Sequence, residues 1–318
     1  MALRKLFRVA AIATLVAVAS TGSAQLGGLG GLGDKLKRKV PNVLGDRAPI
    51  TTSLEDARWG DASKDGFTPR EASRSLMTLQ RTPNGGFVLQ PGYYLFQSQS
   101  YCLKAGTHGP GGGDGYLFAP PKGPAEDAVM SIVRNSVNRP EIPQSRIQQL
   151  LWAIIARAKF EDLSGELKAT ASQLLTPRQL ASLNRSALDV LQGNALTNAL
   201  GGVPAPLRQI AEAEARLRQM LTTPGASFAE MERIAVLSGN APLGPGSREI
   251  PSGRWSAHPD GYFVRYIPSG YSSTRIEVWV PQGSPAVGKE FDPAAHIAVP
   301  GNTARQRLIQ SGRPQQGA

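Results

Sequence analysis

The sequence predicts an α+β protein in which strands come first, helices follow, and strands return. Apolar residues alternate with polar ones in short runs within 75–103, and turn-forming Pro and Gly separate the runs. Apolar residues then recur at helical spacing between 126 and 238, and alternation returns in 250–281. Because strands and helices are segregated along the chain, this order favours an α+β fold over a doubly wound sheet.

The strand-rich N-terminal part is predicted from MTLQRTPNGGFVLQPGYYLFQSQSYCL at 77–103. Two turn signals divide it, one at 83–86 (Pro-Asn-Gly-Gly) and one at 91–92 (Pro-Gly). Strand-forming aromatic and aliphatic residues occupy the runs between these signals, which is typical of short paired strands.

The central block has the spacing of amphipathic helices. A broad apolar face is predicted after residue 144, formed by Ile147, Leu150, Leu151, Ile154, Ile155 and Ala158. A second helix is predicted to begin with Thr176 as its N-cap and Pro177 at its first position. Further helices are expected at 126–138, 206–222 and 227–238.

The C-terminal part is predicted to contain a β-hairpin followed by a tail. In GYFVRYIPSGYSSTRIEVWVP at 261–281, two alternating runs flank a Pro-Ser-Gly turn. Residues 291–318 are rich in Pro, Gly and Gln, so we expect an extended tail there. The folded body is therefore predicted to be one α+β domain covering 51–290.

The N-terminal 24 residues have the organisation of a signal peptide. Arg4, Lys5 and Arg8 precede a short apolar run at 9–19, and small residues at 22–24 predict cleavage before Gln25. The run is about half of the roughly 20 residues that a membrane-spanning helix needs. No cysteine stands at the predicted cleavage site, so we expect no lipoprotein anchor. We expect an exported protein without a transmembrane segment in its mature form, located in the periplasm, at the cell surface or outside the cell.

Residues 25–50 are predicted to be a Gly-rich basic linker that folding does not require. The whole chain has a net charge of +11, and loss of the signal peptide removes three positive charges, which leaves +8. The basic run at 35–39 adjoins a Gly-Leu repeat and contains no aromatic residue. A nucleic-acid-binding surface usually combines basic and aromatic side chains, so we expect no nucleic-acid partner.

Cys102 is the only cysteine in the chain, and three interpretations of it follow from the residues. In the first interpretation Cys102 is an inert buried thiol, because free cysteines are among the most buried residue types. In the second interpretation Cys102 is a catalytic nucleophile, for which His108, His258 and His296 are the candidate bases. In the third interpretation its thiol condenses with a glutamine side chain, releasing ammonia and forming an internal thioester.

The third interpretation is supported by a resemblance. The segments SYCLKAGTHGPGGGDGY at 100–116 and IQQLLWAII at 147–155 resemble the motifs of the Cys-Gln thioester domains of bacterial surface adhesins. The resemblance implies a thioester between Cys102 and Gln148, with Tyr101 and Trp152 in its pocket. It covers about 55 residues, and the chain departs from the motif because Ile147 and Leu150 replace a threonine and an alanine. We also expect no C-terminal signal for attachment to the cell wall, which is a second departure from that family.

The function expected from this resemblance is covalent attachment, or stapling of the fold, by an exported cell-envelope or surface protein. The partner would be an envelope component that carries an amine or hydroxyl group, and no cofactor is implied. Such a protein captures one nucleophile per molecule, so we do not expect a turnover enzyme. The alternative is a noncovalent envelope binding or assembly protein with an inert buried cysteine.

The segment DASKDGFTPRE at 61–71 resembles the beginning of a calcium-binding loop. Asp61, Ser63 and Asp65 alternate before Gly66, but the twelfth position, which should be a bidentate Glu, is Ala72. A capped turn that precedes a helix at 69–80 explains the same residues. We therefore predict no metal site.

Overall fold

Six antiparallel strands close into a β-barrel, and a layer of helices covers one side of it. The computed structural model describes residues 48–315 except 53–54, 58–59, 112, 192, 244–246 and 303. The predicted signal peptide and the linker up to residue 47 lie outside the described residues. Strands occur both before and after the central helices, which confirms the α+β prediction.

The strands of the described residues are β1 (Arg74–Ser75), β2 (Phe87–Val88), β3 (Gly92–Cys102), β4 (Thr107–His108), β5 (Tyr116–Ala119), β6 (Val236–Leu237), β7 (Ser256–Ala257), β8 (Phe263–Ser269), β9 (Ser273–Val280), β10 (Glu290–Phe291), β11 (Ile297–Pro300) and β12 (Leu308–Pro314). The barrel order is β3-β12-β11-β5-β8-β9, and β9 pairs with β3 to close it. β1 pairs with β3, and β7 with β8, outside the closed ring. Two small pairs, β10-β2 and β4-β6, complete the sheets.

Seven α-helices lie between β5 and β6 in the described chain. They are α1 (Glu126–Asn135), α2 (Gln144–Ile155), α3 (Gly165–Leu174), α4 (Pro177–Arg185), α5 (Gly193–Leu200), α6 (Ala205–Thr222) and α7 (Phe228–Ala235). No helix of the described part is long and apolar enough to cross a membrane.

Alternation along the strands divides the apolar residues between two cores. One set fills the barrel: Tyr94, Phe96, Tyr116, Phe118, Val264, Tyr266, Ile276, Val278, Ala298 and Leu308. The opposite set packs against the helices: Tyr101, Leu117, Ala119, Ile297, Val299 and Ile309. Burial of each large apolar side chain contributes about 1.5–3 kcal/mol, so both faces of these strands stabilise the fold.

The helix predictions with the strongest sequence signals are confirmed. All six residues of the predicted apolar face are buried on α2 and just after it. Thr176 caps α4 in a reciprocal capping box with Gln179, and Pro177 occupies the first turn. The predicted hairpin is also present, since β8 and β9 pair from Phe263↔Trp279 to Ser269↔Ser273.

The extended tail expected at 291–318 is wrong, because β11 and β12 are barrel strands and β10 pairs with β2. Several buried positions in and between these strands carry polar side chains, such as Gln306 and Gln310. They break the apolar alternation by which a half-buried strand is recognised. Pairing with β3 and β5, more than 170 residues earlier in the sequence, therefore decides the structure of this segment.

The helix expected at 69–80 is also wrong, since this segment contains β1 and a single 3-10 turn capped by Ser75. α3 and α5 were not predicted. The end of the predicted linker is not a free segment either. Ile50 is buried, and the Pro49 carbonyl accepts a hydrogen bond from the Ala125 amide at 2.9 Å.

Candidate functional site: a buried thiol between two glutamines

Cys102 lies where one edge of β3 loses its strand partner. β9 pairs with β3 only from Gly92 to Gln99, and the turn after β8 supplies one more bond, from the Ser100 amide to the Ser272 carbonyl at 3.0 Å. β3 continues to Cys102. Unpaired backbone groups in a buried position are costly, so this edge requires another partner.

Glutamine side chains of α2 provide that partner. The Gln144 amide Nε2 donates to the carbonyl of Ser100 at 3.1 Å and to that of Ser272 at 2.6 Å. One helical turn later, Gln148 Oε1 accepts from the Cys102 amide at 2.8 Å, and its Nε2 donates to the Cys102 carbonyl at 3.0 Å. A carboxamide has the same donor and acceptor as a peptide group. Gln148 therefore completes the β-ladder at Cys102 as a neighbouring strand would.

The Cys102 thiol is fully buried and has two acceptors. Its sulfur lies 2.8 Å from the Lys104 carbonyl oxygen and 2.8 Å from Gln306 Oε1, and its single proton can be donated to one of them at a time. Burial raises the pKa of this thiol to about 12. The thiol is consequently neutral at physiological pH.

Gln306 is the second glutamine of the site, and the sequence analysis missed it. It is fully buried, and its Nε2 donates to the carbonyls of Thr107 at 3.0 Å and Ala235 at 2.8 Å. Its carboxamide thus connects the thiol to β4 and to the end of α7. The available signal was weak: Gln306 stands in a Gln/Arg-rich stretch that lacks apolar alternation.

Trp152 and α7 cover the site. Trp152 lies close enough to the sulfur to lower the pKa of the thiol, as the Lys104 backbone also does, against the larger effect of burial, and its indole nitrogen has no hydrogen-bond partner among the described residues. Phe228 of α7 stacks on Trp152 with ring centroids 5.5 Å apart. The Tyr271 hydroxyl, in the turn after β8, donates to Glu232 of α7. α7 is therefore attached both to the helical layer and to the barrel.

The structure thus brings Cys102, Gln148 and Trp152 together, whereas Tyr101 is placed differently. Tyr101 precedes Cys102 on β3, so its side chain lies on the opposite face, in the core under the helices. Its hydroxyl bonds to Gln99 Oε1 at 2.9 Å, and burial raises its pKa to about 12.

The histidines considered as bases for a cysteine nucleophile are not hydrogen-bond partners of the thiol in the described part of the chain. His108 Nδ1 lies 3.0 Å from the Ser238 carbonyl. His258 and His296 lie together at the other end of the barrel, with ring centroids 5.1 Å apart. A catalytic base must lie within hydrogen-bond reach of its nucleophile, directly or through one water. This arrangement does not favour cysteine-hydrolase chemistry.

The carboxylates of the calcium-like segment have protein partners. Asp61 accepts bonds from the amide and hydroxyl of Ser63 and forms an ion pair with Lys64. Asp65 forms a two-point ion pair with Arg254, with bonds of 2.8 and 2.5 Å. Within the described ranges no cluster of His, Cys, Asp and Glu is arranged to hold a metal ion.

Comparison of the chain with protein-family models, with curated proteins and with solved structures finds no match. The class of the protein is therefore given by its own structure. It is an α+β protein whose antiparallel barrel is covered by helices, with a neutral thiol enclosed by two glutamines and a tryptophan at one barrel end.

Proposed function

We propose that this chain is an exported cell-envelope or surface protein in which Cys102 and Gln148 condense to an internal thioester. The observation that carries the proposal is the direct contact between these two residues, which are 46 positions apart and almost completely buried. The position of Trp152 beside the sulfur agrees with the motif resemblance. The function of the bond is covalent attachment to an amine or hydroxyl of an envelope component, or stapling of β3 to α2.

The condensation needs no reagent other than the two side chains. The Cys102 sulfur attacks the Gln148 carboxamide carbon, a C–S bond forms, and the C–N bond breaks. The thiol proton leaves with the amide nitrogen as ammonia, so no oxidant or cofactor is consumed. Because the sulfur hydrogen-bonds to Gln306 in the described structure, its side chain must turn toward the Gln148 carbonyl carbon before it reacts.

Burial has two consequences for such a bond. It excludes water, which protects the thioester from hydrolysis, and it keeps the unreacted thiol protonated, because the pKa of Cys102 is about 12. A nucleophile on a partner would reach the thioester only where the cover formed by Phe228 and Trp152 is opened. Capture occurs once per molecule, so the proposed protein is not a turnover enzyme.

The alternative function is noncovalent binding or assembly in the envelope, with an inert cysteine. The specific observation in its favour is that the Gln148 carboxamide already forms two bonds with the Cys102 backbone. In this alternative Gln148 completes the sheet edge and has no chemical role.

Intact mass of the purified mature protein tests the proposal. We expect a mass lower than the sequence mass by one ammonia, and Cys102 should resist alkylation after denaturation in the absence of nucleophiles. Methylamine should then release one thiol and modify a single glutamine, which peptide mapping should locate at Gln148. The Cys102→Ala variant should lack this deficit, and the comparison of the two proteins cancels any loss of ammonia by cyclisation of the predicted N-terminal Gln25.

Two matched variants identify the partner of the thiol. Gln149→Ala changes the neighbouring glutamine of α2 and should leave the mass deficit unchanged. Gln306→Ala removes the glutamine whose Oε1 contacts the sulfur and should also retain the deficit. A full-mass wild-type protein with one alkylatable thiol would reject the thioester in favour of the inert cysteine. A methylamine label at Gln306 would reject Gln148 as the partner.

A further inference from the structure

A buried arginine next to the thiol site has no counter-ion among the described residues. Arg307 directly follows Gln306, and only 5% of its surface is exposed. Its main-chain carbonyl accepts from the Leu103 amide at 2.8 Å, which fixes this residue beside the end of β3. Its Nε has no hydrogen-bond partner, and no ion pair of its guanidinium occurs within the described ranges. An unpaired buried charge is among the most unfavourable features of a protein interior.

Lys104 brings a second positive charge to the same place. It follows Cys102 by two residues and is half-buried. Burial lowers the pKa of its ammonium group well below the ordinary value, and the nearby Arg307 lowers it further. Burial also lowers the pKa of Arg307, to about 10. Two cations thus lie close together at partly desolvated positions.

The surrounding protein only partly neutralises these charges. The loop after Lys104 packs on α6, where Gln209 Nε2 donates to the Gly106 carbonyl at 3.3 Å. Glu214 lies on this helix, and its negative charge raises the pKa of Lys104. Among the described residues, however, no ion pair within 4.0 Å joins Glu214 to Lys104 or Arg307. Burial raises the pKa of Glu214 to about 7, so its carboxyl is partly protonated at neutral pH. The positive charges of Arg157 and Arg218 lower the pKa of this carboxyl, against the larger effect of burial.

Arg218 illustrates how a structural arginine differs from Arg307. Its Nε donates to the Ala156 carbonyl at 2.7 Å, and its Nη1 donates to the Asp189 carbonyl at 2.9 Å. It therefore binds the C-terminal end of α2 and the loop after α4. Arg307 has no such acceptors in the described structure, so its guanidinium can bind a ligand.

We propose that Lys104 and Arg307 form a binding site for an oxyanion, a carboxylate or phosphate group of a small ligand or envelope component. The planar guanidinium can bind two oxygens of such a group at once, and the lysine ammonium supplies a second, flexible donor. The anion would supply the negative charge that Glu214 only partly provides. The site does not depend on whether the thioester forms.

Thermal unfolding of the mature protein tests this proposal, with sodium phosphate and sodium acetate each compared with sodium chloride at equal ionic strength. We expect phosphate, acetate or both to raise the Tm by about 2–5 °C at concentrations several times the Kd. A response to phosphate alone identifies a phosphate site, and a response to acetate identifies a carboxylate site. The Cys102→Ala variant should retain the response, which separates this result from the outcome of the thioester experiment.

Substitutions complete the test. Arg307→Gln should lose the anion response and retain or raise its Tm in chloride, because it removes an unpaired buried charge. Arg216→Gln, at an exposed position of α6, the helix that also carries Glu214, is the control and should respond as the wild type does. If Arg307→Gln does not fold, Lys104→Gln is the decisive variant and should lose the response. An unchanged response in the decisive variant, or no response in the wild type, would overturn the proposal.

Discussion

The two ends of the barrel bury polar groups in opposite ways. β3, β8 and β11 run in the same direction, because each is two antiparallel pairings away from another. Cys102 ends β3, whereas His258 and His296 precede β8 and β11, so the thiol and the histidines lie at opposite ends. At the thiol end, carboxamides bond to the backbone and to the sulfur. At the histidine end, imidazoles are enclosed by aromatic rings.

The rings at the histidine end leave a polar atom without a partner. His296 is buried, with Phe118 at 4.6 Å and Phe291 at 5.4 Å between ring centroids. Its Nδ1 has no hydrogen-bond partner among the described residues, and its Nε2 lies 3.5 Å from the Tyr262 hydroxyl. Burial lowers the pKa of this imidazole well below its ordinary value, and His258 lowers it further.

This difference has a physical consequence. Glutamines have no charged form, and the thiol has a pKa of about 12, so the thiol end keeps its hydrogen bonds across the physiological pH range. The histidine end contains a group that must remain neutral to stay buried. We therefore expect the thiol end to be sensitive to loss of hydrogen-bond partners and the histidine end to be sensitive to acid.

The largest expected effect is at the thiol end. In the Cys102→Ala background, where no thioester can form, Gln148→Ala should lower the free energy of unfolding by about 3–4 kcal/mol, because it leaves the main-chain amide and carbonyl of position 102 buried without partners and opens a small cavity. Urea denaturation of the mature protein measures this effect. Gln149→Ala in the same background is the matched control, since its half-buried side chain has a single hydrogen-bond contact among the described residues, with the Met231 sulfur at 3.8 Å, and its loss should cost less than about 1 kcal/mol. Equal effects of the two substitutions would show that the ladder contact contributes no stability.

The second effect is at the histidine end and depends on pH. The unfolded chain binds a proton at His296 near pH 6.5, whereas the folded protein does so only at much lower pH. Stability from this residue is therefore present above pH 6.5 and is lost as the pH falls below it. Relative to His296→Gln, the wild type should lose about 2 kcal/mol between pH 7 and pH 5.

The comparison with the variant is required because other buried acids act in the opposite direction. Burial raises the pKa values of Asp292 and Glu214, so these groups make folding more favourable as the pH falls. Urea titrations of wild type and His296→Gln at several pH values cancel these contributions. His108→Gln is the histidine control. Parallel stability curves for wild type and His296→Gln would contradict the prediction.

The smallest effect concerns two tyrosines whose hydroxyl groups differ in bonding. Tyr271→Phe removes the hydroxyl that bonds to Glu232 of α7 and should cost about 1 kcal/mol. Tyr266→Phe removes a buried barrel hydroxyl that has no partner among the described residues, so it should be neutral or slightly stabilising. Chemical denaturation of both variants measures the difference. A larger loss from Tyr266→Phe would show that its hydroxyl has a partner.

Local patterns in the sequence determined several of the helices and the hairpin. The apolar face of α2, the capping box of α4 and the β8-β9 hairpin depend on residues close to one another in sequence, and these were predicted. The motif spacing also selected Cys102, Gln148 and Trp152, which the fold brings together.

Only the tertiary structure decided how the barrel closes and what surrounds the thiol. β11 has four residues, and polar residues occupy buried positions in and beside β12, so no local periodicity marks this segment as part of the barrel. Gln306 reaches the sulfur from a position 204 residues away, and Gln148 serves as a strand partner only because the pairing of β9 with β3 stops at Gln99. Local propensity depends on neighbours in the chain, whereas burial of these polar groups depends on partners that distant pairing brings into contact.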